Sequence, residues 1–228
     1  MLGQWRQNRR CRLLARKCRK TVLKSYIESC AKPGFDRLDN TPLIAVDLEL
    51  TGLDVKQNQI IAIGWTRIDR GRIQMGSNRH MLINAEQSVG SSAAIHELMD
   101  SEVAQGIPLE NGLEALFEDA RGRVWVFHHA GLDVAFLQQA CAAWAGVIPP
   151  FVVLDTMQIE LSIRKRREVP VKQGDLQLGR LRRDHHLPHY TAHNALIDAI
   201  ATAELMLAIA ARLSSTSPLK LAPHLKYI

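Results

Sequence analysis

The chain has 228 residues, 46% hydrophobic and 23% charged, enough for one globular α/β domain with a sizeable core and a short extension. Its net charge of +6 is uneven: residues 1–40 hold 11 Lys and Arg against 3 Asp and Glu, a balance of +8, while the remainder comes to −2. Four cysteines without C-x-x-C spacing exclude a zinc-ribbon or disulfide framework, and no apolar run reaches a signal-peptide core or a membrane span, so a cytoplasmic protein is expected.

Between Trp5 and Cys30, basic residues alternate with Leu13, Leu14, Cys18, Val22, Leu23, Tyr26 and Ile27, an i, i+4 recurrence that predicts a basic amphipathic helix. Two uses fit it. It can lie on a nucleic-acid backbone, a membrane surface or a partner, or it can pack its apolar stripe on its own domain with Arg and Lys solvated. Lys32-Pro33-Gly34 then punctuates the chain. The expected organisation is a basic arm over 1–40, a main domain over 41–213 and a tail over 214–228.

Leu43 to Leu50 reads as a buried strand between Pro42 and the Thr51-Gly52 break. Side chains alternate along a strand, so Asp47 and Glu49 share one face and Leu48 and Leu50 the other. Gln59 to Asp69 and Ile73 to Ile83 read as two further strands, joined by an Arg70-Gly71 turn, which suggests an antiparallel meander. Helices are expected over Ala93 to Val103 and Leu109 to Ala120, a strand over Arg123 to Phe127, and a helix over Asp133 to Ala145. A strand over Phe151 to Leu154 and helices over Met157 to Ile163 and Thr191 to Leu213 complete the reading. The basic run from Arg164 to Arg183 is either a solvated face or a phosphate-contacting rim. The sum is an α/β fold: a mixed sheet, antiparallel meander plus parallel strands, flanked by helices.

Acidic residues fall at strand ends and helix starts: Asp47, Glu49, Asp133 and Asp198. Like charges at the end of an apolar strand need an offsetting cation, and hard oxygen ligands suit Mg²⁺ or Mn²⁺, although an edge strand facing water would also tolerate them. His193 stands five positions before Asp198, about 140° round a regular helix and about 7.5 Å along it, so it belongs at the helix entrance and Asp198 one turn further in. His185, His186 and His189 lack that offset and read as loop histidines.

Three ordered motifs carry a resemblance. Asp47 to Gly52 is similar to D-x-E-x-T-G, His128 to Asp133 to H-N-A-x-F-D, and His193 to Asp198 to H-x-A-x-x-D. On these the chain, from Leu43 to about Leu213, resembles the DEDDh (DnaQ-like) branch of the 3′-to-5′ exonucleases, which includes the epsilon proofreading subunits of bacterial DNA polymerase III. Ile95-His96 with Val103, and Leu154-Asp155-Thr156, are weaker similarities. His129 replaces the usual Asn, Leu132 the usual Phe, and Glu97 a common Gly.

The resemblance implies a ribonuclease H-like fold and a two-metal nuclease using Mg²⁺ or Mn²⁺. Asp47, Glu49, Asp133 and Asp198 would be the ligands, with Asp47 bridging, and His193 the general base. Thr51, Gly52 and Leu53 would line the terminal nucleotide, with His128 beside it. Such chemistry suits phosphodiester hydrolysis, where one ion activates water and the other clamps the leaving oxygen, and a histidine takes the proton. The expected partner is a single-stranded 3′ end, DNA before RNA, with a DNA polymerase subunit as a further possibility. Exoribonuclease action remains open, because discrimination lies in 2′-OH contacts. So does a non-catalytic nucleic-acid-binding or polymerase-associated module.

Overall fold

The computed structural model describes residues 2–31, 35–84, 105–191 and 193–228, with side chains from residue 8 onward. The chain opens with helices α1 (Leu2–Lys17) and α2 (Thr21–Ser29), followed by strands β1 (Leu43–Leu50), β2 (Ile60–Asp69) and β3 (Arg72–Leu82). Then come α3 (Leu109–Asp119), β4 (Val124–Phe127), α4 (Ala130–Ala145), β5 (Val152–Asp155), α5 (Thr156–Arg166), α6 (Leu178–Asp184), α7 (Ala195–Leu213) and β6 (Leu225–Tyr227). The helix expected over Ala93 to Val103, with Ile95-His96 and Glu97, lies outside the described residues.

Among the described residues one mixed sheet runs in the order β3-β2-β1-β4-β5-β6. The expected meander is there: β1 and β2, and β2 and β3, are antiparallel. β4 joins β1, and β5 joins β4, in parallel. Strand β1 is central and buried on both faces, as its run of apolar residues requires.

Two cores follow from the alternation along β1. Ile44, Val46, Leu48 and Leu50 pack with α2, α3 and α4; Leu43 and Ala45 face the other way, with Ile159 and Ile163 of α5 and Ala203, Met206 and Ile209 of α7. Asp47 and Glu49 continue the second row, so the apolar row gives way to carboxylates under the start of α7.

The single basic helix expected over Trp5 to Cys30 is two helices, parted at Cys18 to Lys20. There Arg19 N–H bonds the Ala145 carbonyl at the end of α4 (3.2 Å). Of the two roles open to the segment, its apolar stripe takes the packing one: Cys11, Ala15, Leu23, Tyr26, Ile27 and Cys30 are buried in the first core. Tyr26 sits edge-on to Phe117 and Trp125, donates its hydroxyl to Pro150 O and accepts Trp125 Nε1–H, both at 2.8 Å. Tyr26→Phe leaves the buried Trp125 N–H unmet and Pro150 O with only the weak Cys30 thiol as donor, at about 1–3 kcal/mol. Its Tm should be lower by about 5 °C in a thermal scan, since about 1 kcal/mol moves a domain of this size by about 2–4 °C.

The expected tail also belongs to the fold. Leu219 and Leu221 are buried, Leu38 N–H bonds Leu219 O (2.9 Å), and β6 pairs antiparallel with β5. Three residues forming an edge strand carry no periodicity of their own; the partner strand defines them. No described helix is long and apolar enough to cross a membrane.

Candidate active site

Asp47 and Glu49 of β1 and Asp198 in the first turn of α7 bring one ligand atom each within 4.8 Å of one another. Asp133, in the first turn of α4, is buried beside them and accepts a hydrogen bond from the Leu48 backbone N–H. His193 is exposed at the mouth of the group. The structure thus gathers all five residues expected to carry the chemistry.

A glycine makes this approach possible. Gly64 on β2 lies opposite Asp47, and a Cβ there would collide with the Ala195 carbonyl at the start of α7. Any side chain at 64 would push α7, and Asp198 with it, off the sheet. The helix itself starts at Ala195 rather than Thr191. His193 has φ of +71°, outside helical geometry, and Asn194 caps the helix by accepting from the N–H groups of Leu196 and Ile197 (both 3.1 Å). His193 N–H donates to Asp198 Oδ2 (2.8 Å), which fixes that carboxylate and the histidine backbone relative to each other.

Burial, then the charges of Asp133, Asp198 and Glu49, raise the Asp47 pKa well above the carboxylate range. Burial and the charges of Asp198 and Asp133 push Glu49 up to about 8. Burial pushes Asp133 up to about 7 although backbone N–H groups oppose it, and burial also raises Asp198, against the N–H of His193. These are the marks of carboxylates crowded together out of water, a group whose charged forms a bound cation would favour. The donor set is all oxygen, with no thiolate or imidazole in the trio, and it fits a hard divalent cation such as Mg²⁺ or Mn²⁺.

The residues around the acids are held by the ends of β4 and β5. Asp155 caps α5 by accepting from Gln158 N–H (3.2 Å), and also accepts from the N–H groups of His129 (3.3 Å) and Ala130 (3.2 Å). It thereby ties down the start of α4, which begins at Ala130, earlier than expected, and carries Asp133. His129 has φ of +75°, the left-handed region in which Asn is favoured, and His is tolerated there. His128 is half-buried, with Nε2 2.9 Å from Leu176 O and Nδ1 2.8 Å from Thr156 Oγ1. The carbonyl places the proton on Nε2, and burial lowers the pKa of the ring.

At the far end of β1, Thr51 accepts from Gln59 N–H (2.9 Å) and donates to Asn58 Oδ1 (3.1 Å), which closes the loop after the strand. Asn58 covers Gly52 so closely that a Cβ would strike it, and Leu53 is 76% exposed.

A cavity of about 440 Å³ adjoins the acids, lined by Asp47, Asp198, His193 and His128 on one side and by residues of α6 and the 185–193 loop on the other. Two of its neighbours differ from expectation. His185 is not a free loop histidine: its Nε2 lies 2.6 Å from Glu160 Oε1, with both side chains buried. Arg182, within the run read as a solvated face or phosphate rim, is 3% exposed and salt-bridged to Glu204. Each partner lies some 20 residues away, so neighbouring sequence could not mark them.

Residues 44–206 match the profile of the RNase_T family, described as exonuclease. Among relatives, the 3′-5′ exonuclease DinG of Staphylococcus haemolyticus is 26% identical over 171 residues, covering 75% of this chain and 18% of that protein. A PolC-type DNA polymerase III of Thermotoga petrophila is 25% identical over 192 residues (81% and 13%). A DNA polymerase III subunit epsilon-like protein of Rhodobacter capsulatus is 28% identical over 172 residues (75% and 24%). The chain therefore spans at most 24% of the length of these relatives. Among solved structures, Exonuclease X in complex with 5′ overhanging duplex DNA has a TM-score of 0.58 at 22% identity, covering 77% of this chain and 94% of that one. E. coli Exonuclease I in complex with a dT13 oligonucleotide has a TM-score of 0.61 at 12% identity, covering 75% and 41%. At these identities the likeness is one of fold, the ribonuclease H-like mixed sheet.

Proposed function

The chain belongs to the RNase_T exonuclease family, and from that membership we propose that it is a metal-dependent 3′-5′ exonuclease of the DEDDh type. It releases nucleoside monophosphates from the 3′ ends of single-stranded DNA in the cytoplasm, in proofreading or repair. The observation that carries this reading is the gathering of Asp47, Glu49 and Asp198 within 4.8 Å, with Asp133 beside them and His193 at their mouth. Non-catalytic binding is the poorer account, because four clustered acids repel phosphate.

Asp47, Glu49, Asp133 and Asp198 would hold Mg²⁺ or Mn²⁺. Bound there, the ions supply an activated water and neutralise charge developing on the phosphoryl oxygens and the leaving 3′-oxygen. His193, exposed and hinged on a left-handed backbone, accepts the proton of the attacking water. Thr51 and Gly52 present backbone to the terminal sugar, Leu53 wedges against its base, and His128 braces the wall of the cavity. DNA is favoured over RNA by the polymerase names among the relatives, one of which also makes a polymerase partner reasonable.

The test is a gel assay on 5′-labelled single-stranded DNA and RNA of equal sequence, with Mg²⁺ or Mn²⁺ and an EDTA control. A metal-dependent ladder shortening from the 3′ end of DNA is expected. Preference for RNA moves the substrate and leaves the chemistry in place; no metal-dependent product on either polymer overturns the enzyme reading.

A further inference from the structure

Loop residues 185–191 follow α6 and stand just before the proposed general base in the chain, so what holds them bears on where His193 stands. Arg182, near the end of α6, is buried at the root of that loop. Its Nη1 donates to Ala201 O on α7 (2.8 Å); its Nη2 donates to Pro188 O in the loop (2.9 Å) and to Glu204 Oε2 on α7 (2.7 Å). Tyr190, also in the loop, donates its hydroxyl to Glu204 Oε1 (2.9 Å), and the Arg182 guanidinium lies over the Tyr190 ring, 4.4 Å from its centroid. One planar cation thus binds the loop at Pro188 and Tyr190 to the helix that carries Asp198 at its first turn.

We propose that Arg182, with Glu204 and Tyr190, is a positioning residue that holds His193 over the carboxylate group. The inference rests on the reading of His193 as general base. Arginine is required because its fork reaches three acceptors at once; a lysine offers a point charge and satisfies one of them. A burial role alone would be met by an apolar side chain of similar volume, which would leave Pro188 O, Ala201 O and Glu204 without their donor. His193 needs outside support because its left-handed backbone conformation is a costly one for a residue with a side chain.

The test is a double-substitution cycle read by single-turnover cleavage of 5′-labelled single-stranded DNA in Mn²⁺. Arg182→Lys should slow cleavage by about 10–100-fold, the size expected when a reacting group is displaced by about 1 Å. The enzyme concentration giving half-maximal rate should change by less than about 3-fold. In a His193→Ala background the same substitution should cost less than about 2-fold, because the group it positions is gone. Tyr190→Phe, which removes one hydroxyl, should repeat the pattern at about 3–10-fold, and it carries the cycle if Arg182→Lys does not fold. Equal losses in both backgrounds, or no loss with His193 present, overturn the positioning role while leaving the exonuclease in place. A wild-type chain without metal-dependent cleavage overturns both.

Discussion

Asp47→Asn is expected to cleave single-stranded DNA at least about 10³-fold more slowly than the wild type and yet to melt at a higher temperature in EDTA. The two effects share one cause. Asp47 faces Glu49, Asp133 and Asp198, and burial together with those charges holds its pKa well above the ordinary range. An amide of the same shape cannot ionise, so it removes the cost, about 1–2 kcal/mol, of either charging Asp47 among the other acids or keeping it protonated there. The metal-free Tm should therefore rise by about 5 °C. Cleavage needs the charge that folding does better without. On the proposed reading, loss of one metal ligand forfeits several kcal/mol of transition-state stabilisation, and about 4 kcal/mol is roughly 10³-fold. Strain of this kind, removed together with function, marks a site built for a ligand rather than for stability. Wild-type cleavage by Asp47→Asn would remove the residue from the metal site, and a lowered metal-free Tm would show that Asp47 is a structural carboxylate.

How much of this could be read from the chain depends on how local each signal is. Asp47 and Glu49 were legible because strand alternation puts them in the row of Leu43 and Ala45, and the five-residue offset placed His193 at the entrance of the helix that carries Asp198. The meander was legible from runs of apolar residues with short turns between them, whereas the choice of β1 as the parallel neighbour of β4 is made only by the packing of the sheet. Tyr26 was counted in an apolar stripe, but nothing near it in sequence announces Pro150 or Trp125 as its partners. Glu160 and His185, or Arg182 and Glu204, are likewise pairs that only the packing of α5, α6 and α7 creates. Gly64 is a different failure. An isolated glycine inside a strand signals a close backbone approach, and the partner, the first residue of α7, is where the site closes. Its signal was present in the chain and unused.

In EDTA the Tm of the wild type should fall as pH rises from about 6.5 to 8, and Mg²⁺ or Mn²⁺ should reverse the fall. Glu49 is raised from 4.5 to about 8 and Asp133 from 3.8 to about 7. Between the unfolded and folded values these groups are protonated when folded and ionised when unfolded, so folding takes up protons. The stability they contribute is fully present below about pH 4 and is lost as pH rises through 7 and 8, at up to about 1.4 kcal/mol per pH unit for each proton taken up. His128 has the opposite sign. Its lowered pKa makes unfolding favourable in acid, below the ordinary histidine value of 6.5, and so it cannot produce a decline above that pH. The window from 6.5 to 8 therefore isolates the carboxylates, and a loss of about 2 kcal/mol there lowers Tm by about 4–8 °C. A cation at about 100 times its Kd adds about 2.7 kcal/mol, or about 5–10 °C. The gain should be larger at pH 8 than at 6.5, because protons compete for the same oxygens. Thermal scans at several pH values, with EDTA and with either metal, measure all of this. A flat profile in EDTA, or a metal-induced gain that does not grow with pH, would show that the four carboxylates do not act as one cation-binding group.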